Sequence, residues 1–167
     1  MSPGISIRHE LRCGDLGRIV TLHGECYELL PGFGLRFEAF VARTIAEFVL
    51  DNESRGRVWL AEHGDKLVGC TAIALREHNT AQLRWVLVDP SARGVGLGRR
   101  LVESALDYCR EQGCVDVFLE STDGLPESQA LYDDLGFELT SSQEAELWSG
   151  TRPLIRMHKK VRPGHST

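Results

Sequence analysis

The sequence lacks the excess of positive charge that a general nucleic-acid binder needs. Its 167 residues carry a formal net charge of -5 at pH 7, whereas proteins that neutralise phosphate backbones present basic surfaces. No apolar run approaches the length of a transmembrane helix, and residues 1–4 show none of the charged-then-apolar pattern of a signal peptide. We therefore expect a cytoplasmic protein that has neither nucleic acid nor a membrane as a partner.

Paired cysteines are also missing. The chain has five cysteines, an odd number, and no Cys-x-x-Cys pair occurs. Cys26, Cys70 and Cys109 fall within apolar periodicity, which predicts buried free thiols. Disulfides and a metal site are therefore not expected, and reduced thiols fit a cytoplasmic protein.

The overall composition is ordinary for a globular protein. Hydrophobic residues make up 42% and charged residues 26% of the chain, and the length suits one domain with a good core. We expect that domain to cover residues 1–161. The tail, residues 162–167, is expected to be disordered.

The most informative stretch, residues 83–101, lacks two common nucleotide-binding motifs. A P-loop ends in Gly-Lys-Ser/Thr, but Gly98 is followed by two arginines. A dinucleotide fingerprint, Gly-x-Gly-x-x-Gly, would need its third glycine at position 99 or 101, where Arg99 and Leu101 stand. A P-loop nucleotide-binding site and a dinucleotide-binding domain are both disfavoured.

The same stretch does combine a strand, a glycine-rich turn and a helix. Apolar residues 83–88 predict a buried strand, and Asp89-Pro90 ends it, because proline cannot donate to a sheet ladder. Helical spacing of apolar residues resumes at Leu101 and runs to Cys109. The first amides of a helix have no intrahelical partners, and glycines let that backbone approach an anion closely. The pattern predicts a pyrophosphate site, with a plain strand-to-helix connection as the alternative.

Two motifs in this part of the chain resemble those of a known family. Residues 93–98 fit the register Gln/Arg-x-x-Gly-x-Gly/Ala, and residues 130–137 carry a tyrosine and a closing Gly-Phe. The first motif resembles the acetyl-CoA loop, and the second the late motif, of the GNAT (Gcn5-related) N-acetyltransferases. The resemblance covers residues 57–138 and is weaker on both flanks.

The resemblance implies an α/β (α+β) fold of the GNAT type. Such a fold has a central mixed, twisted sheet of about six or seven strands and about four flanking helices. The hydrophobic periodicity predicts the same order, β-α-α-β-β-β-α-β-α-β-β. Strands are predicted at residues 5–11, 57–62, 67–75, 83–88, 115–120, 138–147 and 154–158, and helices at 16–30, 37–51, 101–112 and 130–135. Asp15 is the expected cap of the first helix.

The N-terminal helices carry a narrower resemblance. His23, Tyr27, Phe33 and the run 37–39 look like the acetyltransferase half of regulators that fuse a MarR-type winged helix to such a domain. No DNA-binding half is expected before Met1. In this family the first two helices commonly wall the acceptor pocket, so the resemblance implies an acceptor pocket lined by Tyr27, Phe33 and Phe37. Core packing is the alternative role of aromatic residues on helix stripes.

The resemblance implies a direct attack of an amine on the thioester of acetyl-CoA, with CoA as the product and no covalent enzyme intermediate. In this family the pantetheine arm pairs with the central strand where neighbouring strands splay, and a backbone amide near residues 86–88 is placed to polarise the thioester carbonyl. Contacts to acetyl-CoA are accordingly expected from Val86, Leu87, Val88, Arg93, Gly94, Val95, Gly96, Leu97, Gly98, Arg99, Thr122, Ser128 and Tyr132.

The two proton transfers of this reaction need side chains. Tyr132, at the family's tyrosine position, is the candidate general acid for the leaving thiolate, and a packing role in its helix is the alternative. Many relatives carry a glutamate on the central strand as the base, but Arg84 stands there in this sequence. His23, Glu38 and Glu120 remain as candidate bases for the amine.

Two classes of function stay open on the sequence alone. One is an acetyl-CoA-dependent N-acetyltransferase that acts on a primary amine of a small molecule or a peptide. The other is a non-catalytic module that binds acyl-CoA and senses its level or regulates a partner. The glycine-rich loop is common to both classes, so it does not separate them. The resemblance also leaves room for a homodimer.

Overall fold

The computed structural model describes residues 4–51 and 55–164. Within these ranges the chain forms seven strands and four α-helices, in the predicted order. They are β1 (Ile5–Arg8), α1 (Asp15–Tyr27), α2 (Leu35–Leu50), β2 (Gly56–His63), β3 (Lys66–Leu75), β4 (Thr80–Val88), α3 (Leu97–Glu111), β5 (Asp116–Ser121), α4 (Pro126–Asp134), β6 (Glu138–Leu147) and β7 (Gly150–Lys160), with a short 3-10 helix at Pro90–Ala92 after β4. No helix in the described ranges is long and apolar enough to span a bilayer.

The strands form one mixed sheet in the order β1-β2-β3-β4-β5-β7-β6. β4 and β5 run parallel, and every other neighbouring pair is antiparallel. A parallel pair needs a crossover connection, and here the glycine-rich loop and α3 supply it. The seven-stranded mixed sheet with its four helices confirms the predicted α/β fold.

Two hydrophobic clusters bury the sheet on both faces. Along β2, Val58 and Leu60 belong to the cluster that contains the apolar residues of α1 and α2. Trp59 and Ala61 belong to the cluster that contains those of α3. Because successive strand residues point to opposite faces, both faces of a central strand must be apolar. This explains why the inner strands appear in the sequence as continuous apolar runs.

Asp15 is not the helix cap that the sequence suggested. Gly14 occupies the N-cap position with φ of 95°, and Asp15 is the first residue of α1. The Asp15 side chain is 3% exposed, and its two carboxylate oxygens accept hydrogen bonds from the Nη atoms of Arg8 at 2.7 and 2.8 Å. It also accepts from the backbone N–H of Arg12 at 2.7 Å. The prediction was wrong because an arginine on β1 captures the carboxylate.

Several element ends differ from the predicted ones. β1 ends at Arg8 rather than Leu11, and β7 is longer than predicted and continues to Lys160. α2 ends at Leu50, beside the predicted end near residues 51 and 52, of which Asn52 lies outside the described residues. Such differences arise because hydrogen bonding to neighbouring strands, rather than local composition, sets where an element ends.

The C-terminal tail is described as far as residue 164. The backbone N–H of Gly164 donates to the carbonyl of Arg110 at the end of α3, at 2.9 Å. Residues 165–167 lie outside the described ranges. A disordered tail at 162–167, and a single domain over 1–161, therefore stay predictions.

The cysteines follow the predicted burial in part. Cys70 and Cys109 are buried, but Cys26 is only partly buried. Cys114, which the periodicity did not single out, is buried as well. Burial raises the pKa of the Cys70 thiol above its ordinary value, so this side chain is an inert core thiol.

Candidate active site

The parallel pair at the centre of the sheet separates halfway along β4. In the described part of the chain its ladder runs from Thr80 opposite Asp116 to Leu83 opposite Leu119 and stops there. β4 itself continues to Val88. Residues 84–88 therefore leave an open edge in the middle of the sheet, where backbone groups are available to a bound molecule.

A bulge in β4 accompanies this separation. Cys70 pairs with Leu87 and Ala72 with Arg84, so Trp85 and Val86 lie opposite a single residue of β3. Trp85 has φ of 49°, a left-handed conformation that costs about 1–2 kcal/mol for a residue with a side chain. Strain of this kind is concentrated at functional sites.

Side chains of β3 satisfy the carbonyls that the bulge displaces. The Thr71 hydroxyl donates to the carbonyl of Arg84 at 3.3 Å, and the Cys70 thiol lies 3.1 Å from the carbonyl of Trp85. These contacts hold the bulge from the β3 side and leave the β5 side open.

Two cavities meet at the open edge. The larger cavity, of about 640 Å³, lies between the end of β4, the glycine-rich loop and the start of α4. The aromatic cavity, of about 340 Å³, lies between α1, α2, β4, β5 and the turn after β6. Four residues line both cavities: Tyr27, Val86, Leu125 and Ser128. The cavities therefore adjoin where β4 and β5 separate.

The glycine-rich loop forms one wall of the larger cavity. Gly94 and Gly96 adopt left-handed conformations, with φ of 82° and 78°. The first hydrogen bond into α3 runs from the N–H of Arg100 to the carbonyl of Gly96, at 3.0 Å. The amides of Leu97 and Gly98 precede that bond and lie at the positive end of the helix dipole. This arrangement suits a phosphate group.

Two arginines beside the loop are held by carboxylates of α3 and α4. Arg93 donates through Nε to the carbonyl of Val88 at 3.2 Å and forms an ion pair with Glu127 at 2.9 Å. Arg99 contacts Asp134 and, at 3.3 Å, Glu103. The two guanidinium groups are thus oriented before any ligand arrives, and a bound phosphate would compete with these exposed carboxylates.

Most of the predicted cofactor contacts line the larger cavity: Val86, Leu87, Val88, Arg93, Gly94, Gly96, Leu97, Gly98, Arg99 and Ser128. Val95 is 46% exposed and does not line either cavity in the described structure. Thr122 and Tyr132 line the aromatic cavity instead. These two residues therefore lie on the far side of the open edge from the glycine-rich loop.

Tyr132 lies in α4, which places its ring in the wall of the aromatic cavity. The residue is 7% exposed, and its ring meets that of Phe137 edge-on at 5.9 Å. Burial raises the pKa of the Tyr132 hydroxyl well above its ordinary value, and the nearby Tyr27 raises it further. Burial likewise raises the pKa of Tyr27 to about 12. Both phenols stay protonated at neutral pH.

His23 is a buried, neutral imidazole in the wall of the same cavity. Its Nδ1 lies 2.8 Å from the carbonyl of Ile19. A carbonyl only accepts, so Nδ1 carries the proton and Nε2 keeps a lone pair. Burial lowers the pKa of His23 to about 4, and the ring lies 6.2 Å from those of Tyr27 and Phe37.

The other two candidate bases are placed differently. Glu120 lines the aromatic cavity, and its carboxylate accepts from Arg156 at 2.6 Å. Glu38 lines neither cavity in the described structure, and its side chain lies against Gly24 of α1. The structure thus brings His23 and Glu120, but not Glu38, to the aromatic cavity.

The predicted acceptor-pocket residues do come together. Tyr27, Phe33 and Phe37 form a cluster with ring centroids 4.8 to 5.0 Å apart. The sequence did not indicate that Trp148, in the turn between β6 and β7, completes this wall, at 4.8 Å from Phe37. Phe40 packs on the same indole at 5.2 Å. No local pattern links a hairpin turn to helices more than a hundred residues earlier in the printed sequence.

Arg152 on β7 fixes the loops around this wall. It forms an ion pair with Asp123 at 2.9 Å, donates to the carbonyl of Pro31 at 3.2 Å and lies 5.0 Å from the Phe33 ring. The hydrogen bond from Arg152 lowers the pKa of Asp123 below its ordinary value. Asp123 in turn accepts from the Thr122 hydroxyl at 3.2 Å. Arg152 thereby joins the loop after β5 to the loop between α1 and α2.

The central sheet is split, with a glycine-rich loop at one side of the split and an aromatic cavity at the other. These features are those of the acetyltransferase fold. The profile of the acetyltransferase (GNAT) family matches residues 18–137. The chain belongs to this family.

Individual relatives agree with this assignment. N-acetyltransferase 8B of Homo sapiens is 31% identical over 106 residues, which cover 60% of this chain and 46% of that protein. The chain spans about half the length of the curated relatives it matches. A GNAT-family structure from Desulfovibrio desulfuricans has a TM-score of 0.77 at 16% identity, covering 93% of this chain and 98% of that one. The Salmonella typhimurium protein yncA, solved with its cofactor acetyl-CoA, has a TM-score of 0.70 at 18% identity, covering 98% and 97%.

Proposed function

We propose that this protein transfers an acetyl group from acetyl-CoA to a primary amine of a small molecule or a peptide. The observation that carries the proposal is the junction of the two cavities at Tyr27, Val86, Leu125 and Ser128. A donor in the larger cavity and an amine in the aromatic cavity would meet there, at the open edge of β4. Holding two reactants in contact accounts for a large part of the rate of a bimolecular reaction.

The larger cavity fits a nucleotide-linked thioester. The outward amides at the start of α3, together with Arg93 and Arg99, would hold the pyrophosphate of acetyl-CoA. The open edge at residues 86–88 would pair with the extended arm, and a backbone N–H there would donate to the thioester oxygen. Acetyl-CoA would supply the activated acetyl group: the amine nitrogen attacks the thioester carbon, and the C–S bond then breaks to release CoA.

Tyr132 is the proposed donor of the proton that the departing thiolate takes up. Its raised pKa keeps the hydroxyl protonated until the thiolate develops. A phenol of raised pKa is a weak acid toward a thiol whose ordinary pKa is about 8.5. Transfer therefore has to be coupled to the breaking of the C–S bond, which requires the hydroxyl to be in position rather than acidic.

His23 is the proposed acceptor of the proton that the amine loses, because its Nε2 lone pair belongs to a neutral ring in the wall of the aromatic cavity. An imidazole with a pKa of about 4 does not deprotonate a free ammonium ion efficiently. It does accept a proton from a nitrogen that has already attacked the thioester, because attack makes that nitrogen far more acidic. Glu120 already pairs with Arg156 and is the second choice.

Thiol release from acetyl-CoA with a panel of amines tests the proposal. For Tyr132→Phe we expect kcat to fall roughly 10²-fold or more, the usual range for general acid catalysis, while the affinity for CoA stays unchanged. Tyr108→Phe is the matched control, because Tyr108 packs edge-on against Trp59 at 5.6 Å and lines neither cavity in the described structure.

Two results would contradict the proposal. CoA binding without thiol release for any amine would favour an acyl-CoA sensor over an enzyme. Thiol release that Tyr132→Phe leaves intact would keep the enzyme but remove Tyr132 as its acid.

A further inference from the structure

The charges in the aromatic cavity are unbalanced. Its charged side chains are Arg84 and Glu120, because His23 is neutral. Glu120 is paired with Arg156 at 2.6 Å. In the described part of the chain Arg84 has no carboxylate partner, and its guanidinium lies over the indole of Trp85 at 4.3 Å. The cavity therefore presents one unpaired positive charge.

The environment of Arg84 makes that charge costly. Burial lowers the pKa of Arg84 below its ordinary value and the nearby Arg76 lowers it further, although the charges of Glu120 and Glu47 act in the opposite direction. A guanidinium that has lost water without gaining an acceptor is destabilising. An anionic group of a ligand would relieve this, because guanidinium binds a carboxylate through two parallel hydrogen bonds.

A second unmatched donor lies in the same wall. The indole Nε1 of Trp148 is buried and has no hydrogen-bond acceptor in the described part of the chain. Beside it the wall is aromatic, with Phe33, Phe37 and Phe40 packed around Trp148 at 4.8 to 5.7 Å. The cavity thus offers the guanidinium of Arg84 together with apolar surface. That combination is complementary to an apolar molecule with an anionic oxygen, and not to a polycation.

Arg84 lies close to the junction along β4. Arg84 lines only the aromatic cavity, whereas Val86 lines both cavities. Two residues of strand separate their Cα atoms by at most about 7 Å. A molecule with its anion at Arg84 would therefore lie in the aromatic cavity, beside the junction where its amine is needed.

The geometry points to an apolar amino acid as the acceptor, with its carboxylate on Arg84, its side chain on the aromatic wall and its amine at the junction of the cavities. This inference rests on the proposed function and makes Arg84 a residue that determines specificity. The strand position at which many relatives carry a glutamate would then select the acceptor rather than deprotonate it.

Matched amines test the inference. L-phenylalanine, phenylalanine amide and phenethylamine share the aromatic side chain and differ in the carboxylate, while phosphoethanolamine and spermidine represent a phosphate and a polycation. Thiol release from acetyl-CoA gives kcat/KM for each. We expect L-phenylalanine to exceed the amide and phenethylamine by at least about tenfold, since a buried charge left unpaired is strongly discriminated against.

The Arg84→Gln variant tests the residue. It should lower the ratio of kcat/KM for L-phenylalanine to that for phenethylamine at least about tenfold, mainly through KM, and titration with CoA confirms that it is folded. Arg57→Gln is the matched control: Arg57 is also a strand arginine over an aromatic ring, at 4.5 Å from Tyr108, but it lines neither cavity in the described structure. Its ratio should equal that of the wild type.

The outcomes separate this inference from the proposed function. Thiol release that shows no preference for the carboxylate, or a preference that Arg84→Gln leaves intact, overturns the inference and leaves the proposed function standing. Preference for phosphoethanolamine or spermidine overturns it in the same way. No release from any amine, with CoA still bound, overturns the proposed function and this inference with it.

Discussion

At the scale of single residues, the aromatic cavity sets protonation states by burial. Tyr132 and Tyr27 are held as neutral phenols and His23 as a neutral imidazole. Such a site contains a phenol that can donate a proton and a neutral imidazole that can accept one at neutral pH. The one charge that remains unpaired in this wall within the described chain, on Arg84, is then available for recognition.

The sequence indicated several of these residues but not their protonation states. Tyr132 was found through its motif, and His23 through its place in a helix pattern. Whether each is charged depends on burial, which is set by residues far away in the chain. Glu38 shows what the sequence does not predict. Its position in α2 is compatible with a side chain in the aromatic cavity, yet the side chain lies against Gly24.

His23 makes stability depend on pH in a specific window. Its pKa is about 4 in the folded protein and 6.5 ordinarily, so between these values the unfolded chain binds a proton that the folded chain does not. The free energy of unfolding therefore falls as the pH drops from 6.5 toward 4, by roughly 3 kcal/mol in total, and is unaffected above 6.5. The free energies of unfolding of the wild type and of His23→Gln can be measured in urea. The difference between the two free energies should change by about 2–3 kcal/mol between pH 7 and pH 4.5.

The control for this experiment is His78→Gln, in the loop before β4, where the imidazole is 92% exposed. Its unfolding free energy should follow the wild-type pH dependence. A constant difference between wild type and His23→Gln across the window would mean that the folded protein does not keep His23 neutral.

At the scale of elements, the strand, glycine-rich loop and helix at the centre of the chain were predictable because their signals are local. Apolar residues, proline and glycines follow one another within a short segment, and each fixes the backbone near itself. The bulge in β4 was not predictable. Trp85 adopts a positive φ that no tryptophan favours, and it does so because Thr71 and Cys70 of the neighbouring strand hold the displaced carbonyls.

The loop can be tested with two glycines that share one conformation. Gly96 and Gly113 have φ of 78° and 79°, and a Cβ at either position would meet no atom within 4 Å. Valine at either site should therefore lower stability by a similar amount, about 1–2 kcal/mol. Only Gly96 lies in the larger cavity, at the start of α3. Calorimetric titration should show Gly96→Val weakening CoA binding at least about tenfold, whereas Gly113→Val retains wild-type affinity.

Equal CoA affinities for the two variants would show that the glycine-rich loop does not contact CoA. Melting temperatures measured alongside report the shared backbone strain. A much larger drop for Gly113→Val would show that the two positions are not matched, and Gly96→Ala beside Gly113→Ala would then replace the pair.

At the scale of the whole molecule, different elements around the sheet build the two cavities. The helices α1 and α2 on one face build the aromatic wall, and the loop before α3 with the start of α4 builds the larger cavity. Continuous apolar runs such as residues 83–88 indicated buried strands. The contacts that close the cavities were not predictable, because Trp148 and Arg152 come from the last hairpin and pack on the first loop.

An ion network joins the first elements of the chain at the β1 edge of the sheet. Arg8 of β1 and Arg18 of α1 both contact Asp15 and also Glu62 of β2, at 2.7 to 3.2 Å. The Asp15 side chain is 3% exposed, and the hydrogen bond from Arg8 lowers the pKa of Asp15 to about 2. This network holds α1, and with it Tyr27 and His23, against the sheet.

Asp15→Asn should therefore destabilise the fold without altering the chemistry of the cavities. A carboxylate whose pKa falls from 3.8 to about 2 on folding contributes roughly 2–3 kcal/mol, present above pH 3.8 and lost as the pH falls toward 2. At pH 7 the urea unfolding free energy of Asp15→Asn should be lower by about that amount, since removing one partner of a buried pair leaves the other uncompensated.

Asp107→Asn is the control. It breaks the exposed pair with Arg110 at 2.8 Å and should lower the free energy of unfolding by less than about 1 kcal/mol. CoA affinity of both folded variants should equal that of the wild type. If Asp15→Asn costs no more than Asp107→Asn, the network does not hold α1 in place, and the packing of Ile19, Leu22 and Tyr27 on the sheet must do so alone.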